Sequence, residues 1–275
     1  MASKFAPMLL DDAGVSSLPR RRVTGSISKG MNQARALAPY PRLTGRRATC
    51  RLWEVDPDGM IRDLAVLALS ENGGAERLYR LVERLISGGM NAEDVVLRAI
   101  VPAARLLGEM WAEDTANFTE VSLAVNQLST TVMRLEMDLP VAMIVHGEVL
   151  LTCAPGDQHG FGSLIVGFCL RRHGWVVTCP KTNDANTLVD LGERRHFDAF
   201  GLSISNEVLL PDCRRLIERM RQRTFNPEMR IVIGGPAVLA DPGLAARLGA
   251  DFSANDPHEM IAHLEESCCG PGKLN

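Results

Sequence analysis

The sequence predicts two successive architectures: an all-α four-helix bundle, then an α/β segment with a five-stranded parallel, doubly wound sheet. Three observations carry this. Between Asp58 and Met137 apolar residues recur every three or four positions, the period of helices buried on one face. Beyond Pro140 the pattern switches to short apolar runs alternating with helical stretches, the grammar of βα units and hence of a parallel sheet. The composition, 46% hydrophobic and 23% charged over 275 residues, supplies apolar surface for a core and excludes a chain disordered throughout.

The elements follow in order. Ile61, Leu64, Leu67 and Ala68 share a face of a first helix, which Asn72-Gly73-Gly74 ends. A second runs from Ala75 through Leu78, Leu81, Val82, Leu85 and Ile86 to Gly88-Gly89. Asn91 is the cap of a third that carries Val95, Val96, Ala99, Ile100, Ala103, Leu106, Leu107 and Met110. The fourth covers Phe118 to Met137, with Val121, Leu123, Ala124, Leu128, Val132, Met133 and Leu135 as its apolar face. Strands are expected at Glu148 to Cys153, Trp175 to Cys179, Ala199 to Ser203, Arg230 to Ile233 and Gly249 to Phe252. Helices are expected around 161–172, 185–196, 210–223 and 240–248, and from Pro257 to Glu266. The chain therefore divides into a basic arm (1–52), a helical bundle (53–140) and an α/β domain (146–270).

Charge sets the arm apart. Residues 1–52 hold ten Lys or Arg against Asp11 and Asp12, a net of +8 that leaves −11 on the rest of a chain whose total is −3. Rich in Pro, Ser, Gly and Arg and without a hydrophobic period, the arm reads as largely disordered. Its Arg20-Arg21-Arg22 run offers a contact to DNA or an acidic partner, or is a solvated tail. No apolar run reaches the ~18 residues of a membrane span and no signal-like segment opens the chain, so the expected place is the cytoplasm, with no membrane partner. Seven cysteines without a CxxC pair argue against a zinc ribbon or disulfide framework; Cys268-Cys269 is a redox pair or an ordinary tail.

The chemistry-bearing segment follows the first strand: Cys153-Ala154-Pro155-Gly156-Asp157-Gln158-His159-Gly160-Phe161-Gly162. On a doubly wound sheet, ligands bind beyond the strand C-termini. A carboxylate that accepts a proton from one imidazole nitrogen leaves the other free and more basic for a metal, the relation Asp157 can have to His159. Gly160 and Gly162 remove side chains where a ligand approaches the backbone. Neither GxGxxG nor GxxxxGK[ST] occurs, which weakens nucleotide readings.

Asp157-x-His159-x-x-Gly162, then Leu202-Ser203-Ile204-Ser205 after the third strand, then Gly234-Gly235 after the fourth, resembles the motif set of cobalamin-binding domains, with their flavodoxin-like sheet, that hold vitamin B12 base-off and His-on. The resemblance implies that His159 replaces the dimethylbenzimidazole tail as lower ligand of cobalt. The tail would enter a slot lined by Ser203, Gly234 and Gly235, with Asp157, Gln158, Gly160, Gly162 and Ser205 around it. Val101-Pro102-Ala103-x4-Gly108-x2-Trp111 is similar to the cap bundle of the same families, in which the Trp covers the upper face of the corrin. The bland alternatives are a core aromatic for Trp111 and a strand-end cap for Ser203.

Two departures bear on mechanism. Cobalamin photoreceptors of the light-sensing repressor type carry a Glu-His pair after the Trp, where this chain has Glu120-Val121, and all six histidines lie outside the four helices. The upper position is left to water, hydroxide, adenosyl, Glu120 or a histidine from elsewhere such as His146. Catalytic relatives extend the His-Asp relay with Ser or Thr a few residues past the first Ser; here that stretch is Glu207-Val208-Leu209, a relay poorly provided for.

Three functions compete: a corrinoid carrier of a methyltransferase system, a light or redox sensor that controls a transcription factor, and a cofactor-free interaction module. Motif order is similar to the AerR/PpaA family of purple photosynthetic bacteria. That resemblance implies an antirepressor, not an enzyme, that carries hydroxocobalamin or adenosylcobalamin and acts by protein contact on a CrtJ/PpsR-type repressor of photosynthesis genes.

Overall fold

The computed structural model describes residues 56–70, 73–140, 145–241 and 243–268. The arm, Cys50, Cys269 and the side chain of Cys268 lie outside the described residues.

Helix α1, Pro57–Ala68, starts at Asp56, whose side chain accepts the Gly59 N–H; Pro57 sits where a missing N–H has no helical partner to lose. Gly74 does not end α1 but begins α2, Gly74–Ser87. A Cβ there would stand 2.5 Å from the Leu67 carbonyl, so the absent side chain lets the two helices approach. Asn91 caps α3, accepting the Glu93 N–H at 3.0 Å. This helix comprises Ala92–Val95, a π-helical turn at Val96–Ile100, and Val101–Ala112. Pro102 accounts for the wider turn, because a proline ring clashes with the carbonyl four residues back, here Arg98. A reciprocal capping box opens α4, Phe118–Asp138: Asn117 accepts the Glu120 N–H at 3.0 Å and Glu120 accepts the Asn117 N–H at 2.8 Å.

The bundle core holds Leu64, Leu78, Val82, Leu85, Val95, Ile100, Leu107, Ala124, Leu128 and Val132, all fully buried. Leu123 and Met133 depart from expectation at 59% and 46% exposed. Each lies next in sequence to a buried residue, Ala124 or Val132, and one step along a helix turns the side chain by about 100°, out of the stripe.

The sheet comprises β1 (Gly147–Cys153), β2 (Trp175–Thr178), β3 (Ala199–Ser203), β4 (Arg230–Gly234) and β5 (Phe252–Ala254), all parallel, in the order β2-β1-β3-β4-β5. Between them run α5 (Phe161–Arg172), α6 (Ala185–Arg194), a 3-10 turn at Glu207–Leu209, α7 (Leu210–Arg223), α8 (Pro236–Leu239) and α9 (Leu244–Leu248), and α10 (Pro257–Cys268) follows β5. The predicted doubly wound, flavodoxin-like fold is therefore present.

Two boundaries shift for local reasons. The fifth strand begins at Phe252 because Gly249 takes φ 79° to end α9 and the Ala250 N–H turns back to the Ala245 carbonyl. The helix expected around 240–248 is two short pieces, and between them the Asp241 side chain accepts the Gly243 N–H at 3.1 Å instead of leaving the backbone to helix.

Alternation along the strands splits the core in two. Val149, Leu151 and Val232 join α5, α10 and the bundle residues in one continuous apolar cluster, while Leu150, Phe200, Ile231 and Ile233 pack against α6 and α7. The bundle meets the sheet domain through α4 and α5, where Arg171 pairs with Glu136 at 3.0 Å and Arg172 donates to the Pro140 carbonyl at 2.8 Å. Among the described residues Cys153, Cys169, Cys179 and Cys213 are free thiols. No helix among them is long and apolar enough to cross a membrane.

Candidate functional site

In this strand order the sense in which successive strands are added reverses between β1 and β3, the switch point at which such sheets open a crevice. Register places Cys153 beside Ser203 and Ser203 beside Gly234, so the ends of β1, β3 and β4 form one row at the carboxyl edge. The three sequence motifs, scattered over about eighty positions, thereby become neighbours.

After Cys153 the backbone folds into a tight loop. The Ala154 N–H reaches the Ser203 carbonyl at 2.8 Å and the Asp157 N–H reaches the Ala154 carbonyl at 2.9 Å. Asn183, on the segment between β2 and α6, braces it from the side: its Nδ2 donates to the Ala154 carbonyl at 2.7 Å and the Asp157 carbonyl at 2.6 Å. Only the amide NH2 can face two carbonyls, which fixes the orientation of the side chain.

Asp157 is buried inside this loop, while the side chain of His159 is 78% exposed. The carboxylate accepts the His159 backbone N–H at 3.0 Å and lies 2.6 Å from His159 Nδ1. Burial alone would raise the Asp157 pKa. The Ser205 hydroxyl, the His159 N–H and the His159 ring outweigh it and hold the group below the ordinary carboxylate value. An ionised acceptor at 2.6 Å keeps the ring proton on Nδ1 and leaves the Nε2 lone pair facing solvent, the arrangement of a histidine prepared to bind a metal. Past Ser203 it is Ser205 that helps to hold the Asp157 carboxyl low, and the stretch Glu207-Val208-Leu209 adds nothing to that.

Beside the histidine the first turn of α5 faces the end of β3. A Cβ on Gly162 would meet only Ser203 Oγ, at 3.6 Å, and one on Gly160 would meet nothing within 4 Å. The Oγ of Ser163, next along, is buried without a hydrogen-bond partner. Gly234 and Gly235 carry a structural duty as well. A Cβ on Gly234 would lie 3.0 Å from the Ala254 carbonyl, and Gly235, at φ 101°, would bring one to 2.6 Å from the Ile204 carbonyl. Gln158 is exposed, its carbonyl accepting the Gly160 N–H at 3.1 Å. An outward ring nitrogen, an open glycine-lined gap and an orphaned buried hydroxyl fit a corrinoid held from below by His159 with its nucleotide tail beside the sheet.

Trp111 is no core aromatic. It is 53% exposed and lies edge-to-face with Phe118, itself 69% exposed, at 6.3 Å. The two make an exposed apolar pair at the end of α3 and the start of α4. Two suggested upper ligands are otherwise placed. The Glu120 carboxylate is engaged in the cap of α4. His146 precedes β1, at the strand end opposite His159, roughly 20 Å along the chain direction.

Residues 147–262 match the B12 binding domain family. The chain is 31% identical over 178 residues to an uncharacterized 20.5 kDa protein in the bchF-crtJ intergenic region of Rhodobacter capsulatus, a match spanning 62% of this chain and 91% of that one. It is 23% identical over 219 residues to dimethylamine corrinoid protein 3 of Methanosarcina acetivorans, across 77% of this chain and 98% of the relative. The fold is shared with the monomethylamine corrinoid protein of Methanosarcina barkeri, with TM-score 0.60 at 14% identity, covering 76% of this chain and 99% of that structure.

Proposed function

Because the chain belongs to the B12-binding domain family, we propose that it is a cobalamin-binding, light- or redox-responsive transcriptional regulator, an antirepressor that acts by protein contact on a CrtJ/PpsR-type repressor of photosynthesis genes. The observation that carries this reading is the relative matched over 91% of its length, whose described position lies beside crtJ. His159 Nε2 would ligate cobalt, and Asp157, with Ser205 acting on its carboxyl, would hold the ring and its Nδ1 proton. The gap between Gly162 and Ser203 would take the tail. When bound, cobalamin would supply a cobalt–ligand bond that light or reductant can break. The chain's own part is to orient His159, exclude a bulky side chain at Gly162, and present Trp111 and Phe118 on the bundle. Binding regulates only if the two bundle arrangements differ in affinity for the cofactor, and the exposed Trp111 face is the surface available to make that difference. Protein contact, not substrate turnover, is then the output, with the basic arm as a second contact to DNA or the repressor.

A corrinoid carrier of a methyltransferase system is the second reading. The dimethylamine corrinoid relative favours it, as does the effect of Ser205 on Asp157. One experiment separates them. Purified protein is mixed with hydroxocobalamin and with adenosylcobalamin, spectra are taken in darkness and after illumination, and each form is offered an immobilised CrtJ/PpsR-type repressor. Capture that depends on cofactor state supports the regulator. Histidine-ligated spectra without capture, together with methylation of the bound corrinoid by a methylamine-dependent methyltransferase, would replace it with the carrier.

A further inference from the structure

A second cluster of metal-binding side chains lies away from the cobalt-binding loop. Glu93, in the first turn of α3, meets His173 at the end of α5 and His258 in the first turn of α10. His173 Nε2 is 3.2 Å from one carboxylate oxygen and His258 Nε2 is 2.8 Å from the other. The candidate ligand atoms all lie within 4.8 Å of one another, and the imidazole rings stand nearly perpendicular, at 87°, with centroids 6.1 Å apart.

We propose that Glu93, His173 and His258 form a site for a divalent transition metal of the zinc class, which ties the bundle to the sheet domain. Two imidazoles and a carboxylate are a ligand set that such ions take with one position left to water. Bonds of about 2.0–2.1 Å in a tetrahedron set ligand atoms ~3.3 Å apart, and one ligand atom from each of the three residues lies within 4.8 Å of the others, a spacing that small side-chain shifts bring to that value. Burial is graded in the required sense. The Glu93 side chain is 12% exposed, His173 37% and His258 30%, so the anionic ligand is enclosed while solvent reaches the histidine side. The three residues come from both structural parts and from positions up to 165 apart, so only the folded chain assembles them.

The site is independent of the cobalamin reading, and its test uses full-length protein freed of corrinoid and treated with chelator. Zinc is titrated in competition with a chromogenic chelator into wild type, His159→Ala, Glu93→Gln and the double variant His173→Gln/His258→Gln, each checked for folding by circular dichroism. Expected are one zinc per chain in wild type and in His159→Ala, and a loss of roughly 100-fold or more in the other two. As a second readout that needs no variant, cobalt(II) added to wild type should give visible d–d bands of a four- or five-coordinate ion, displaced by zinc. No stoichiometric zinc and no such bands in wild type, or equal zinc affinity in a folded double variant, overturns the proposal and leaves the cluster as ion pairs alone.

Discussion

Replacing Asn183 by Ala isolates how far the Asp157–His159 loop depends on a brace outside its own sequence. The amide donates to the carbonyls of Ala154 and Asp157 at 2.7 and 2.6 Å. Each such bond contributes a net ~0.5–1.5 kcal/mol, so two give ~1–3 kcal/mol; Asn183 is half-buried and water can reach the vacated carbonyls, which favours the lower part, ~1–2 kcal/mol. That energy holds Asp157 where it meets His159. The apparent dissociation constant rises as the fraction of correctly folded loop falls, so hydroxocobalamin affinity should drop by at most about 5- to 30-fold. Absorbance titration of wild type and Asn183→Ala measures this, with thermal melts alongside. Asn183→Asp should be worse, because it sets a carboxylate against two carbonyl oxygens. Affinity within about twofold of wild type in both variants would refute the reasoning, and a lowered Tm with unchanged affinity would confine the brace to stability.

The remaining predictions concern six other positions. His159→Ala should abolish or greatly weaken base-off cobalamin binding yet shift stability by no more than ~0.5 kcal/mol, since the ring is mostly exposed; Asp157→Asn should cost about 10- to 100-fold in affinity. Cobalamin spectra unchanged in His159→Ala would sink the ligand assignment. Gly162→Leu should fold and lose cobalamin while still binding cobinamide, which lacks the tail, whereas Gly235→Ala should fail by misfolding because of its φ of 101° and the Ile204 carbonyl. Equal loss of both corrinoids in Gly162→Leu removes the slot argument. Trp111→Ala should spare His159 ligation but reduce recovery of a CrtJ/PpsR-type repressor in pull-downs with hydroxocobalamin; equal recovery moves the partner surface to the sheet domain or the arm. Tyr79 donates to Asp138 between α2 and α4, and burial together with that carboxylate pushes its pKa up to about 12 from 10. Above the unfolded value the unfolded chain gives up the proton first, so stability should fall between pH 10 and 12 in wild type. Tyr79→Phe, weaker by about 1 kcal/mol at neutral pH, should lack that decline in alkaline denaturation curves.

What the sequence reveals follows the range of the interaction. His159 and Asp157 are two residues apart, and their relation can be read from spacing alone. The strand alternation that divides Val149 and Leu151 from Leu150 is likewise local, and so is the Asn91 cap. Ser205 was legible as a member of the second motif, but not as the partner of Asp157, because that depends on where β3 ends relative to the β1 loop. Asn183 gave no signal: an asparagine ahead of a helix is ordinary, and its bonds run to carbonyls 26 and 29 residues earlier. Glu93, His173 and His258 were invisible for the same reason on a longer scale. Periodicity misled at Leu123 and Met133, since an apolar residue at the margin of a stripe satisfies the pattern whether or not a neighbouring helix reaches it.

Helix α5 has one further consequence. It begins two residues after His159 and ends at Arg172, with Arg171 bound to Glu136 and His173 to Glu93 at the end away from His159. Its twelve residues make a rod of about 18 Å. Tilted by about 5° at the histidine end, such a rod moves its far end by about 1.5 Å, enough to break the 3.0 Å Arg171–Glu136 contact. The same helix thus spans from the Asp157–His159 loop at one end to two fastenings to the bundle at the other.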